Sequence, residues 1–279
     1  MGDDAEKGAV SEGDNAVVAL VRPLFHALFA HLTFSDSLCL SVEGTQNQKL
    51  ERSNFTYGES SLLALSTVLA ALDLPSYCCN CSACVTATVA HGTRQGSRCR
   101  DCGRRRGGAF LFDLGSGVGN VVVGAALLAA AGQVPLASVE GVELLEPLHA
   151  AADAVLARLR ALFRGGATNR TAADAPPPLP LPALLPTVAV HCADLLDFDW
   201  SHADVVYMAS TIFTCDVMEA FARQGAERLA AGARVVTLKT PLVHPAFVRE
   251  ATLTVQMSWG TEFAHIHRNT WGPALAGLD

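Results

Sequence analysis

The segment that most restricts the fold is Asp113-Leu114-Gly115-Ser116-Gly117-Val118-Gly119-Asn120. It is preceded by the apolar stretch Ala109-Phe110-Leu111-Phe112 and followed by the apolar run Val121 to Ala131. A short buried strand that enters closely spaced glycines and leaves as a helix opens a Rossmann-like βα unit. The glycines let the backbone turn tightly and let a ligand approach without Cβ atoms in the way. The helix start beyond them offers free N–H groups and the positive end of a dipole. Downstream the pattern repeats. Leu136 to Val142 reads as a second strand, Pro147 to Phe163 as a helix, Val188 to His191 as a third strand and Asp204 to Met208 as a fourth. Asp216 to Leu229 reads as a helix and Arg234 to Leu238 as a fifth strand, and Leu253 to Trp259 and Phe263 to His267 as a terminal antiparallel pair. Alternating strands and helices imply an α/β fold: a mostly parallel, seven-stranded sheet with right-handed crossovers and helices on both faces.

The chain ahead of this unit is organised differently. Residues 1–15 are acidic and Gly-rich, a composition that favours disorder. Residues 16–33 carry apolar residues at helical spacing, with Pro23 placed where it would split or kink the helix. Residues 45–56 are polar and read as a loop, and Leu62 to Leu72 as an apolar helix. The expected division is an N-terminal disordered and helical region, 1–56, and an α/β domain, 57–279. Two inserts interrupt the domain: a Cys-rich one at 76–108 and a Pro-rich one at 164–187, the latter with six prolines. A length of 279 residues suits one domain with a helical lead-in.

The glycine loop also discriminates between ligands. The dinucleotide fingerprint is G-x-G-x-x-G, whereas here the glycines run G-x-G-x-G and Asn120 takes the third fingerprint position. An acid, Asp113, leads the loop. A carboxylate there repels a pyrophosphate but orients a cationic ammonium, and S-adenosylmethionine carries an ammonium and no phosphate. The second strand ends at Glu143, where an acid can accept both ribose hydroxyls. The third leads to Asp194-Leu195, where Asp194 can accept from an adenine amino group with Leu195 against the ring. Three acids at three successive strand ends suit a nucleoside crevice; the plain alternative is a tight turn with solvated caps.

Half of the residues are hydrophobic and 17% are charged, so a core is available. No apolar run approaches the ~20 residues a membrane helix needs. The acidic start is unlike a secretory signal, and Gly2 lacks the Ser or Thr at position 6 that myristoylation requires, Glu6 standing there. An intracellular protein, nuclear or cytoplasmic and not secreted, is expected. Asn54-Phe55-Thr56 and Asn169-Arg170-Thr171 then match the glycosylation sequon by chance. A net charge of −7 argues against nucleic-acid binding over the whole surface but leaves room for a local basic patch.

Six of the nine cysteines fall within 78–102. Cys81-x-x-Cys84 and Cys99-x-x-Cys102 are 14 residues apart, the spacing of a tetrahedral zinc site with four thiolate ligands. The insert is otherwise too polar to hold itself together, and a metal would supply its folding energy. The alternative is an unligated Cys-rich segment. Arg94, Arg98, Arg100, Arg104, Arg105 and Arg106 lie in the same stretch against one acid, Asp101. That makes a concentrated basic patch suited to phosphate or an acidic protein surface. His265 and His267 alternate on a late strand, where one is a candidate base and both are candidates for structural burial.

Taken together these motifs resemble the non-SET histone-lysine methyltransferases named for disruption of telomeric silencing, a class I S-adenosylmethionine-dependent methyltransferase family. Tyr57-Gly58-Glu59 is similar to their substrate-side loop and Asp113 to Asn120 to their cofactor loop. Val139 to Glu143 resembles their ribose-binding strand, Arg234 to Lys239 their fifth strand, and Met257-Ser258-Trp259 their late Val-Ser-Trp segment. The likeness covers roughly residues 55–75 and 109–267. It implies that Tyr57 and Glu59 close over the methionine end of the cofactor and act in catalysis. It implies that Asp113, Gly115, Gly117 and Asn120 hold the cofactor's amino-acid part, Glu143 its ribose, and Asp194 and Leu195 its adenine. After the fourth strand the family carries Asn-Asn-Phe; here Ala209-Ser210-Thr211 stands, and Ser210 keeps a hydroxyl for cofactor and catalysis. Where the family lines a lysine channel with an aromatic pair, this chain has Ala264-His265-Ile266-His267. The implied partner is a histone or other protein, with the arginine-rich insert as a contact for the nucleosome. The alternatives are a methyltransferase acting on a non-histone protein or a small molecule, and a non-catalytic cofactor-binding scaffold.

Overall fold

A computed structural model describes residues 16–48, 61–74, 108–164 and 185–272. The Tyr57-Gly58-Glu59 loop, the four zinc-spaced cysteines, the arginine group and most of the Pro-rich insert lie outside the described residues. Seven strands form one sheet in the order β3-β2-β1-β4-β5-β7-β6. They are β1 (Ala109–Leu114), β2 (Leu136–Glu143), β3 (Thr187–Cys192), β4 (Val205–Met208), β5 (Arg234–Leu238), β6 (Phe247–Met257) and β7 (Gly260–Asn269). The first five pair in parallel, and β7 runs antiparallel to both β5 and β6. This is the mostly parallel, Rossmann-like α/β sheet expected from the sequence, with a single reversed strand.

One face is covered by α1 (Ala16–Phe29), α3 (Leu62–Ala71), α4 (Asn120–Ala130) and α5 (Glu146–Arg164), whose apolar residues share the larger core with β1, β2 and β5. The other is covered by α6 (Cys215–Arg228) and the segment after β3, which bury Phe221, Met218 and Trp200 against Phe112, Met208 and Val235. Central α4 is apolar all round and almost wholly buried, as a helix between a sheet and two other helices must be. Helix α6 is amphipathic. Thr214 caps its start by accepting from Val217 N, and Asp216 and Arg228 complement its dipole at the two ends.

Three local outcomes differ from the sequence pattern. Pro23 does not split α1, which runs unbroken to Phe29 and buries Val18, Val21, Leu24 and Leu28. The break comes later, where Thr33 and Asp36 form a reciprocal capping box that opens α2 (Phe34–Asn47), a helix that takes in the first three residues expected in the loop. The helix buries small residues, Ser37, Ser41, Gly44 and Thr45, rather than an apolar stripe, and so carries no periodic signal. Finally, β6 starts at Phe247, well ahead of the expected Leu253.

Candidate active site

Parallel strands direct their carboxyl ends to one edge of the sheet, and at the switch between β1 and β4 the crossovers turn in opposite senses and leave a crevice. The residues singled out in the loop meet there. Gly115 N and Ser116 N both donate to Val142 O, at 2.8 and 3.1 Å, and Gly119 N donates to Ser116 O at 2.9 Å. Gly117 N donates to Glu143 Oε2 at 2.8 Å. These four loop amides are consumed inside the protein, so the loop is not a free phosphate cradle. That departs from the dinucleotide use of the motif, in which such amides face the pyrophosphate.

Gly115 has φ +82°, and a Cβ there would stand 2.9 Å from Phe213 Cζ. Both the backbone conformation and the ring packed over it require glycine. A second glycine is required for space alone: on Gly141 of β2 a Cβ would lie 2.7 Å from Ser116 Oγ and 2.9 Å from Val122 Cγ2.

The electrostatics of the crevice are unbalanced. Asp113 is 2% exposed and Glu143 6%. Glu143 is supported, since Gly117 N and Leu145 N donate to its two oxygens at 2.8 Å each. Its pKa is nevertheless raised, because burial outweighs those bonds. The Asp113 carboxyl is pushed well above the usual carboxylate range, first by burial and then by the neighbouring Glu143. Asp113 Oδ1, Ser116 Oγ and Asn120 Oδ1 are buried with no hydrogen-bond partner. Unsatisfied polar atoms are rare in folded interiors and each costs about 1–3 kcal/mol. Three in one loop, one of them a carboxyl oxygen, mark a place shaped for a ligand that donates hydrogen bonds and brings positive charge.

The remaining expected residues divide. Asp194 follows β3, and its Oδ1 accepts from Leu196 N at 2.8 Å in a tight turn. Leu195 is half-buried against the second core beside Phe198 and Phe213. Ser210, expected to touch the cofactor, is buried and donates its hydroxyl to Leu238 O at 2.9 Å. That bond ties the turn after β4 to the end of β5. His265 is held between Thr252 Oγ1 at 3.0 Å and Lys239 O at 3.2 Å. His267 accepts from Leu242 N at 3.2 Å through Nε2. Both rings are committed to the fold. Tyr57 and Glu59 lie outside the described residues. Among the described residues no group of three or more His, Cys, Asp or Glu side chains could hold a metal ion.

Sequence reasoning passed over Ser116, Gly141 and Phe213. Ser116 had a signal, a hydroxyl between two loop glycines; the other two become visible only when β2 and the turn after β4 are placed beside the loop. A further tie comes from α2, where Gln48 Nε2 donates to Leu144 O at 2.9 Å and holds the helix end against the chain leaving Glu143.

No family model and no curated protein matches the chain. Among solved structures, an RNA methyltransferase from Salinibacter ruber in complex with S-adenosyl-L-homocysteine is 22% identical, with 61% of this chain and 85% of that chain covered and a TM-score of 0.38. Magnesium protoporphyrin IX methyltransferase from Synechocystis PCC 6803 with bound SAM is 13% identical, with 93% and 100% covered and a TM-score of 0.42. TrmN from Thermus thermophilus is 18% identical, with 58% and 44% covered and a TM-score of 0.40. Likenesses this distant carry no argument about chemistry, and the reading of the crevice rests on its own residues.

Proposed function

We propose that the chain is an S-adenosylmethionine-dependent methyltransferase whose substrate is a protein lysine, with histone first among candidates. The observation that carries the cofactor assignment is the buried, unpartnered Asp113 Oδ1 beside Glu143. A buried carboxyl without a counter-charge is costly, and a ligand ammonium offsets that cost where a pyrophosphate would add to it. Glu143 suits ribose: a carboxylate has about four acceptor sites, and the backbone donors Gly117 N and Leu145 N, with Leu144 beside them, leave part of that capacity for a hydroxyl. Asp194 Oδ2 makes no hydrogen bond among the described residues and suits an adenine amino group. Ser116 Oγ and Asn120 Oδ1 complete the loop side.

The cofactor supplies a methyl group made electrophilic by its sulfonium. The chain's part is to fix that group and exclude water, so that a neutral amine meets it in line; such alignment supplies much of the rate in a displacement of this kind. Ser210 acts as a positioning residue through Leu238. Tyr57 and Glu59 keep the roles the family resemblance gives them, over the methionine end. Trp259 and Phe263 are exposed on the β6–β7 hairpin, and Phe263 O accepts from Lys239 N at 2.7 Å just past β5. They stand at the sheet end that carries the glycine loop, where a substrate side chain would approach. Cys81, Cys84, Cys99 and Cys102 are read from their spacing as the ligands of one structural zinc. Elemental analysis of reduced, folded protein is expected to give one zinc per chain, and well below one would refute that reading.

Calorimetric titration tests the cofactor, with S-adenosylmethionine and its demethylated product expected to bind and NAD not. Equal affinity for NAD would overturn the assignment. Transfer of tritiated methyl to histones, nucleosomes and cell extract tests the substrate. Label on a non-histone protein or a small molecule would remove the histone reading, and cofactor binding without transfer to anything would favour a scaffold.

A further inference from the structure

The connection from β5 to β6 covers the sheet without a helix. With β7 between them, β6 runs parallel to β5, so residues 239–246 must cross from one end of the sheet to the other. Pro241 and Pro245 are four apart, and each lacks an amide donor and clashes with a preceding helical turn. The segment therefore crosses as an extended strap, pinned where Leu242 N donates to His267 Nε2.

The strap and the first residues of β6 line an open cleft of about 550 Å³. Its apolar wall includes Leu242, Pro245 and Phe247, and its ionisable lining groups are His244, Arg249 and His267. Among the described residues no acid lines it, although the chain has 27 Asp and Glu against 20 Lys and Arg. Glu250, next in sequence, is occupied elsewhere, bonded to Arg234 and Arg268. Among the described residues the Arg249 side chain has no ion-pair or hydrogen-bond partner, and the residue stands directly across the ladder from His267. His244 accepts from Ala246 N at 3.2 Å through Nδ1, which leaves Nε2 as its proton-bearing nitrogen and a donor. Its ring packs edge-on against Trp271 with centroids 5.4 Å apart. Val243 on the rim is 88% exposed.

We infer that this cleft is a binding site for a small organic anion, a carboxylate or similar single negative group on an apolar body. The charge would be met by Arg249 and the Nε2–H of His244, and the body would rest on Phe247, Pro245 and Leu242. The volume lies within the ~300–1,000 Å³ common for small-molecule pockets. A mostly apolar surface lined by an arginine and a histidine donor, with no acid among the described residues, selects that chemistry over a cation or a neutral polyol. The cleft lies toward the start of β6, at the sheet end away from the glycine loop, and is independent of the methyl-donor reading.

Naphthalene-2-carboxylate and its neutral carboxamide are suitable probes, titrated by calorimetry into the full chain. The carboxylate is expected to bind at least about tenfold more tightly than the amide, with affinity falling as salt rises. Arg249→Ala should abolish that preference by weakening only the carboxylate, and Arg249→Lys should retain part of it. Neither should alter S-adenosylmethionine binding or the melting temperature, since Arg249 is exposed. Equal binding of the two probes, no binding at millimolar carboxylate, or an unchanged preference in Arg249→Ala would each overturn the proposal.

Discussion

Asp113 and Glu143 are two buried acids whose pKa values are raised by burial, with no basic side chain contributing to either shift. The sign of the consequence is fixed. A carboxyl with a raised folded-state pKa imposes no penalty below its unfolded value, near 4, and destabilises the protein increasingly as pH climbs through the raised value. A cationic ligand cancels that penalty only where the acids are ionised. Thermal stabilisation by S-adenosylmethionine is therefore expected to be larger at pH 8 than at pH 5. Binding should also release protons, visible as a dependence of the calorimetric heat on the buffer. Identical stabilisation at both pH values would count against Asp113 as the ammonium partner. Asp113→Asn should leave the free protein as stable or more so at pH 8 while weakening the ligand by about 10–100-fold, because a neutral isostere removes both the penalty and the attraction. Gly141→Ala tests the packing behind the loop. Its Cβ would press on Ser116 and Val122, and overpacking of this kind costs about 1–3 kcal/mol, read as a fall in melting temperature together with weaker ligand binding.

At the scale of elements, His267 ties the middle of the strap, whose ends are already joined through Lys239 and Ala246, to β7. Its neutral ring accepts from Leu242 N and so fixes the strap to β7. Burial lowers its pKa to about 4. A lowered base contributes stability that is complete above its unfolded value of about 6.5 and is lost as pH falls through about 4. Melting temperature should thus fall between pH 6.5 and 4 more steeply in the wild type than in His267→Gln, which cannot titrate there; parallel curves would contradict the role given to the ring. The acids at the crevice slope the other way in this range, so the difference between the two proteins isolates His267. Legibility followed the strength of local pattern. Strands β1 to β5 and helices α3 to α6 were readable because apolar runs alternate with helical spacing and the glycine loop fixes the order. Helix α2 was not, since its buried face is Ser37, Ser41, Gly44 and Thr45, and such residues look like a loop until α5 packs on them. The first half of β6 was not either. It is an edge strand with Val248, Arg249 and Glu250 all exposed and an irregularity between Arg249 and Ala251, so its alternation is lost. In the crevice, Asp113 and Glu143 could be named from strand ends, whereas the engagement of Ser210 with Leu238 depends on how β4 and β5 sit together.

For the molecule as a whole the open quantity is how an acidic protein would engage a nucleosome. With a net charge of −7 the chain has no general attraction to DNA, so binding must come from a local concentration of positive charge. The strongest such concentration in the sequence is Arg94, Arg98, Arg100, Arg104, Arg105 and Arg106. This stretch joins the chain just ahead of Gly108 and β1, and the start of β1 is at the sheet end opposite the glycine loop. On the proposed reading of a nucleosomal lysine substrate, an arginine group that joins the chain at the sheet end opposite the crevice is expected to set affinity rather than chemistry. The triple variant Arg104→Ala, Arg105→Ala, Arg106→Ala separates the two. Each phosphate that an arginine no longer neutralises reduces the slope of log affinity against log salt by about 0.9. Nucleosome binding should therefore weaken at low salt and flatten by up to about three such steps, while methylation of a short lysine peptide and the affinity for S-adenosylmethionine stay within about twofold, since neither depends on counterion release. Equal methylation of nucleosomes by variant and wild type at every salt concentration would show that the arginines are not the docking surface. A matching fall in activity on the short peptide would instead place them at the crevice, against the position at which they join β1.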